Sequence, residues 1–522
     1  MFNKPKVLAL LGSTGIASYT APMTVVIFSV LVASFIALRL WNIDAYSLWG
    51  TEAFAIIGIH HDWNSMFAYI IADIVHPPLF YILLKLWVAI GGESILWLKL
   101  FPVLGGIALI GPFYLLCREL GFKLPEMSLA LSLAAVNEYL IHYAQEIRMY
   151  ILFTFFAMCS FWLFIKFFKA EKQATGVVLG LTVVNLLAIY THYYGWLVVG
   201  MEFLFLLIWR RKRIIIFGAS IMFLLLSFSP WAYLVIREAR SIGGLQQNLD
   251  WIPKPDLIDV LNFYVTLNGP LGSRYVKLFG LFLFGLPPIL WFWKITRSGF
   301  KSRSEDAISF SWLALLSFLP VIAIFVISQK LAQAVWIDRY FIFSAVPYLM
   351  LVATAVYRLE TKWARYTWLI LLVLWSLFAG MNGLRTNRIA WGSPQLGSRV
   401  KWDGMVQQMI ASESEPSGPI SIYTLTVISK GQRTGDWATS TSIDYFLDSY
   451  GEDRFQTRYV RDVQTLLNKT LEDHFWIAFF ELAEWPQPSP AVILKENGYR
   501  VGDAIVFQHL DNRVVLLPVW RH

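Results

Sequence analysis

Charge is scarce in this chain of 522 residues. Asp, Glu, Lys and Arg together make up 15% of it, against about 25% in a typical soluble domain. Hydrophobic residues reach 57%, and the mean hydropathy is +0.56. A water-soluble globule is excluded by these values, and so is a disordered chain. Cysteine is nearly absent: Cys117 and Cys159 both sit in apolar runs, which excludes a disulfide framework and a cysteine metal cluster. The tail, 384–522, shows no glycine-rich phosphate loop of the required form, and no internal repeat is evident in the chain. The net charge of +8 is unevenly placed. Residues 384–522 carry 14 Lys+Arg against 16 Asp+Glu, and residues 1–383 carry the other 29 against 19. The basic excess belongs to the apolar part, where membrane topology accounts for it without nucleic acid.

What is present is a series of long apolar runs. A membrane-spanning helix needs about 20 mostly apolar residues. Eleven segments meet that need, near 22–40, 98–117, 126–142, 147–167, 175–190, 195–212, 213–233, 277–294, 307–327, 340–357 and 366–382. The first follows Lys4 and Lys6 and has no clear small-residue cleavage site, so it reads as an anchor. A twelfth run, 77–91, is only 15 residues long, opens with Pro77-Pro78 and holds Lys85. If it does not span, the basic clusters at 118–123, 166–172, 210–213, 294–303 and 358–365 all fall on the cytoplasmic side, as the positive-inside bias requires. If it spans, the Arg210–Arg213 cluster lands outside. The run is therefore expected to lie along the outer surface. The fold class expected is a polytopic α-helical membrane protein of the inner (plasma) membrane with about eleven spans. Its N-terminus is cytoplasmic, and its membrane module (1–383) includes an outer loop, 41–97. The polar tail, 384–522, alternates strands (419–425, 474–480, 503–509) with helices (399–412, 440–450, 461–468, 487–497), which predicts a soluble extracytoplasmic α/β domain.

Ionisable residues at or in membrane spans are costly and ask for a reason. The expected topology gathers four clusters on the outer side. The loop holds Asp44, Ser47-Leu48-Trp49-Gly50-Thr51-Glu52, Asp73 and His76. Glu52 suits a general base or a metal ligand, or a plain loop carboxylate, and His76 a ligand or an orienting group. Asp44 and Asp73 read most simply as parts of a solvated loop. A tight turn carries His142, Gln145, Glu146 and Arg148. Arg148 suits a phosphate through a charge-assisted fork, or an internal pair with Glu146. The next outer turn carries His192 and Tyr193, and the last Asp338, Arg339 and Tyr340. His192 suits a metal, a phosphate or a structural role among aromatics.

The order of these pieces resembles the GT-C membrane glycosyltransferases, in particular the protein-mannosyltransferase and aminoarabinose-transferase-like group. The matching pieces are Ser-Leu-Trp-x-x-Glu-Ala at 47–53, His-Pro-Pro-Leu-Phe-Tyr at 76–81, Tyr-Ala-Gln-Glu-x-Arg-Met-Tyr at 143–150, Tyr-Thr-His-Tyr at 190–193 and Arg-Tyr at 339–340. The resemblance covers most of 1–383. It implies surface helices in the first outer loop and transfer of a sugar from a polyprenyl-phosphate carrier to a protein, lipid or glycan acceptor, with inversion. It also implies substrate or phosphate contacts from Gln145, Glu146, Arg148, Tyr193, Arg339 and Tyr340, and leaves a divalent metal on His76 and His192 open. One position departs from the pattern: Thr51 stands where the family has the aspartate expected as base. Either Glu52 takes that role, or a nearby carboxylate such as Asp44 or Asp73 does, or transferase activity is lost and the chain is a scaffold. A transporter or flippase of a lipid-linked substrate is the other alternative. Against it, the polar residues gather at one face and the spans lack paired interrupted halves.

Overall fold

The computed structural model describes residues 14–45, 47–171, 175–241, 252–269, 274–297, 304–386, 400–413, 418–425, 427–429, 432–434, 436–469, 472–481, 489–509 and 512–521. All eleven apolar segments are helical. In lipid a backbone N–H finds no water, so an apolar run satisfies its own hydrogen bonds by coiling. The helices are α1 (Thr14–Leu40), α2 (Gly50–His60), α3 (Trp63–Asp73), α4 (Leu79–Gly91), α5 (Ile95–Ala108), α6 (Ile110–Glu119), α7 (Leu124–Ala135), α8 (Glu138–Gln145) and α9 (Tyr150–Lys169). They continue with α10 (Thr175–Thr191), α11 (Gly195–Trp209), α12 (Ile214–Ser241), α13 (Leu257–Asn268), α14 (Arg274–Arg297), α15 (Glu305–Lys330), α16 (Ile342–Tyr357) and α17 (Lys362–Thr386). Seven of the described stretches are long and apolar enough to cross a membrane: 22–40, 95–119, 150–169, 211–241, 275–297, 305–330 and 338–357. The chain is a polytopic helical membrane protein.

Two details differ from the sequence expectation. The segment 126–142 is two helices, because Asn137 ends one and caps the next: its side chain accepts from the Leu140 N–H at 3.0 Å. Helix α13 was not foreseen. The outer loop folds into α2 and α3 ahead of α4, and α4, at 13 residues, is too short to span.

Loops sort cleanly between the two ends of the bundle. At one end Lys169 donates to the Glu119 carbonyl at 2.6 Å and lies 3.6 Å from Glu305, while Arg358 bridges Asp306 and Glu126. Arg210 and Arg213 close on the carbonyls of Phe168 and Ala170 at the same end. At the other end lie the loop 41–97, the turns at 145–150 and 191–195, the segment 331–341 and the tail.

The tail holds a six-stranded sheet. Strand β1 (Ile420–Leu425) runs parallel to β4 (Phe455–Val460) and β5 (His474–Glu481); β8 (Asn512–Arg521) is antiparallel to β5, β6 (Tyr499–Val501) and β7 (Ile505–His509). A two-stranded ribbon, β2 (Val427–Ser429) and β3 (Gln432–Thr434), lies apart. Successive strand residues face opposite ways, and the two faces have different partners. Tyr423, Phe475, Ile477, Phe479 and Val515 form a core of the tail's own. Ile422, Trp476, Ala478, Phe480 and Leu516 join the core of the membrane module, along with Trp402 and Met405 of α18 (Trp402–Ser412).

Candidate functional site

The site is built where α2, the α3–α4 turn, the α8–α9 turn, the α10–α11 turn and the segment before α16 meet. Helix α3 ends at Ile74, whose φ of 52° is left-handed. A β-branched residue there is strained. The strain is held by two sides: the Ile74 N–H bonds back to Ile70 and Ile71, and its carbonyl accepts from the Tyr193 hydroxyl at 3.1 Å. Trp231 in turn donates to Tyr193 at 3.2 Å. The bent turn brings His76 back toward Asp73, so that His76 Nδ1 lies 3.1 Å from Asp73 Oδ2. A carboxylate accepts, so Nδ1 carries the proton and Nε2 presents a lone pair. Two donors approach that lone pair, Arg148 Nη2 at 3.5 Å and the Tyr340 hydroxyl at 3.4 Å. These are long contacts of the kind that tighten when a substrate is bound.

Arg148 is itself seated by α2: its Nη1 donates to the Thr51 carbonyl at 3.0 Å. Arg339 lies over the ring of Tyr150, 5.7 Å from its centroid, and near that of Tyr340 at 6.0 Å. Burial pushes the His76 ring down to about 4, against the help of Asp73, so His76 is neutral at pH 7. Burial, then the neighbouring His76, Arg148 and Arg339 charges, push His192 well below its ordinary value too. His192 Nδ1 accepts from the Tyr194 N–H at 3.1 Å, and its buried Nε2 has no hydrogen-bond partner.

The carboxylates divide by access. Glu52 is 3% exposed: Oε2 accepts from the Trp49 N–H at 2.9 Å, Oε1 from the Ile147 N–H at 2.9 Å, and Lys99 lies 3.6 Å away. Its oxygens hold two turns together. The Glu146 side chain is 15% exposed, 3.9 Å from His142, and burial pushes its carboxyl up to about 7. Asp73 is more open than either, at 22%. Asp44 is exposed on the surface. Gln145 donates to the carbonyls of Arg39 and Trp41, both at 2.9 Å, so its amide fastens the end of α1.

The two imidazoles do not fit a metal. Among the described residues no group of three or more His, Cys, Asp or Glu gathers that could hold an ion. The ring centroids of His76 and His192 are 6.2 Å apart, both Nδ1 atoms are engaged, and Arg148 and Arg339 would repel a divalent cation. Two members of the site escaped the sequence reading. Lys99, 6% exposed, lies at the edge of an expected span, and a lysine inside an apolar run is the signal. Tyr81, fully buried, lay in a quoted motif without a role.

Beside the polar cluster lies an apolar groove of about 500 Å³, lined by residues that include Ile71, Pro78, Leu186, Tyr190 and Trp231. Pro78 is two residues from His76, and Trp231 holds Tyr193.

No protein-family model matches the chain, and no curated protein matches its sequence. Among solved structures, ArnT from Cupriavidus metallidurans in the apo state is similar with a TM-score of 0.54 at 15% identity, over 95% of this chain and 98% of that one. The chain has a GT-C fold. ArnT from the same organism bound to undecaprenyl phosphate gives 0.49 at 14% identity, over 94% and 97% of the two chains. The oligosaccharyltransferase AglB from Archaeoglobus fulgidus, in complex with an inhibitory peptide and a dolichol-phosphate, gives 0.47 at 14%, over 82% of this chain and 64% of that one. The likeness spans the membrane helices and the tail alike, since it covers nearly the whole length. Fold alone does not fix chemistry; the side chains at the end that holds the 41–97 loop carry that.

Proposed function

We propose that the chain is a glycosyltransferase that moves a sugar from a polyprenyl-phosphate carrier to a hydroxyl or amine acceptor at the extracytoplasmic face of the inner membrane. One observation carries the proposal: a neutral histidine joins an accessible carboxylate to a buried arginine, two residues along the chain from Pro78 in the lining of an apolar groove. A lipid phosphate has both halves such a place would take, an anion for Arg148 and Arg339 and a chain for the groove.

The chemistry follows from the leaving group. A polyprenyl phosphate departs as a stable anion, so it needs positive charge more than an acid. Arg148 and Arg339 supply that charge. Asp73 takes the proton from the acceptor as the acceptor attacks the anomeric carbon. The carbon–oxygen bond to phosphate breaks with its electron pair left on the phosphate oxygen, and attack from the opposite side inverts the centre. Asp73 replaces Glu52 as the preferred base, because Glu52 is sealed under two backbone N–H groups and Lys99 while Asp73 is open. It also answers the threonine at 51, whose hydroxyl oxygen is buried and whose carbonyl seats Arg148. Glu52, Gln145 and Tyr193 act by holding the turns in place.

The test is transfer from a defined polyprenyl-phosphate sugar by the purified protein in lipid. Arg148→Ala is expected to lower turnover about 10²–10³-fold, the usual loss for one well-placed transition-state contact. Turnover near wild type in that variant would remove the site from consideration.

A further inference from the structure

The tail touches the loop at one place that matters to the site. Trp402, fully buried at the start of α18, stacks on Trp49 with ring centroids 6.4 Å apart and 24° between planes. Beside it, Asp403 and Ser47 form a reciprocal pair. The Ser47 hydroxyl donates to the Asp403 carboxylate, and the Asp403 N–H donates to Ser47 Oγ at 3.3 Å. Ser47 and Trp49 are 3% and 5% exposed, so neither contact is a loose surface touch.

The turn gripped in this way is the one that seats the arginine. Trp49 gives its N–H to Glu52, Glu52 gives its other oxygen to the Ile147 N–H, and the Thr51 carbonyl holds Arg148. From Asp403 to Arg148 the path consists of short, buried, directional contacts within residues 47–52 and 147–148. Movement of that turn by about 1 Å would carry the guanidinium off the His76 lone pair, and misplacement on this scale can cost about 10²-fold in rate. The sheet's inward face shares the core of the membrane module, so the tail has no independent seat to which it could retreat.

We infer that Trp402 and Asp403 are positioning residues for Arg148, and that the tail is the outer jaw of the reaction centre, not a separate binding module. The catalytic consequence rests on the transferase reading above; the mechanical one does not.

The experiment uses the full-length protein in lipid nanodiscs, with Asp403→Ala and Ser47→Ala singly and together, and Asp403→Asn and Trp402→Phe as conservative variants. Two readouts are taken: amide hydrogen exchange of residues 47–52 and 146–148, and kcat and KM for sugar transfer. Asp403→Ala and Ser47→Ala are expected to speed exchange at Trp49 and Ile147 alike, to lower kcat at least tenfold, and to be no worse when combined. Asparagine keeps the acceptor and phenylalanine keeps the stack, so both conservative variants should recover most of the wild-type kcat. Faster exchange confined to the tail, or unchanged kcat in Asp403→Ala, would overturn the inference. If the wild-type protein shows no transfer, the transferase reading fails, and the exchange data alone still decide whether the tail positions Arg148.

Discussion

An imidazole with Nδ1–H turned to Asp73 and its Nε2 lone pair turned to Arg148 must be uncharged, and burial keeps His76 so, at about 4. Asp73→Asn keeps an acceptor for His76 but cannot take a proton; transfer should fall about 10²–10³-fold while donor binding stays within a few-fold, measured as kcat against KM. Glu146 titrates near neutrality, and its sign can be worked out. Burial, with the Glu52 charge adding, lifts it from the ordinary 4.5 to about 7, against Arg339, Arg148 and Lys99. Between those values the folded protein holds a proton that the unfolded chain has lost. The group thus favours folding below pH 4.5, and that contribution fades as pH rises through about 7. Thermal midpoints from about pH 5 to 8 should fall less steeply in Glu146→Gln than in wild type. At this scale the motifs named residues that the fold brings together, His76, Arg148, His192 and Tyr340 among them, yet not their partnerships. Asp73 was read as a solvated loop carboxylate because nothing in the sequence shows that Ile74 bends left-handed and returns His76 to it. Gln145 and Tyr193 sat in the matching motifs, and their bonds to backbone carbonyls could not be read there.

Elements carry a second polar group, away from the site. In the middle of the bundle, Ser160 of α9, Asn185 of α10 and Glu202 of α11 close a ring of hydrogen bonds at 2.6, 2.5 and 2.7 Å, all buried. Ser160 offers one proton and Asn185 meets each neighbour with one atom, so the third bond takes its proton from Glu202 whichever way the amide is turned. Glutamine carries a donor and an acceptor in the same places; alanine leaves Ser160 and Asn185 unsatisfied at about 1–3 kcal/mol each. Glu202→Gln should therefore melt close to wild type in detergent and Glu202→Ala well below it. The sequence signalled the spans through apolar length, and the tail's strands 420–425, 474–481 and 505–509 through alternation. It hid the break at Asn137, because an apolar run on both sides of one asparagine reads as a single helix. It also hid β4 and β8, whose polar flanks or long unbroken run blur the alternation.

The whole molecule has two ends, and the account needs every reacting group at one of them. Charge alone sorted the loops correctly between those ends: contacts among Glu119, Lys169, Arg358 and Asp306 close one, and contacts among the 41–97 loop, Arg148, His192, Tyr340 and the tail close the other. The positive-inside bias predicts that the basic end faces the cytoplasm. Asp44 and Lys212 are both exposed, at opposite ends, and the native Cys117 is buried and Cys159 half-buried. In intact cells a membrane-impermeant thiol reagent should label Asp44→Cys from outside and reach Lys212→Cys only after lysis. The tail's role was illegible in the sequence because it lies in a contact between distant segments, Ser47 and Asp403, and not in a motif. The most direct test of the account is the fate of the donor lipid. Purified protein in nanodiscs is given a polyprenyl-phosphate sugar and a mixture of envelope acceptors, and the lipid is followed by mass spectrometry. The account predicts that wild type converts the sugar-bearing lipid to free polyprenyl phosphate while the Asp73→Asn, Arg148→Ala double variant leaves it intact. Equal conversion by the two proteins would contradict it.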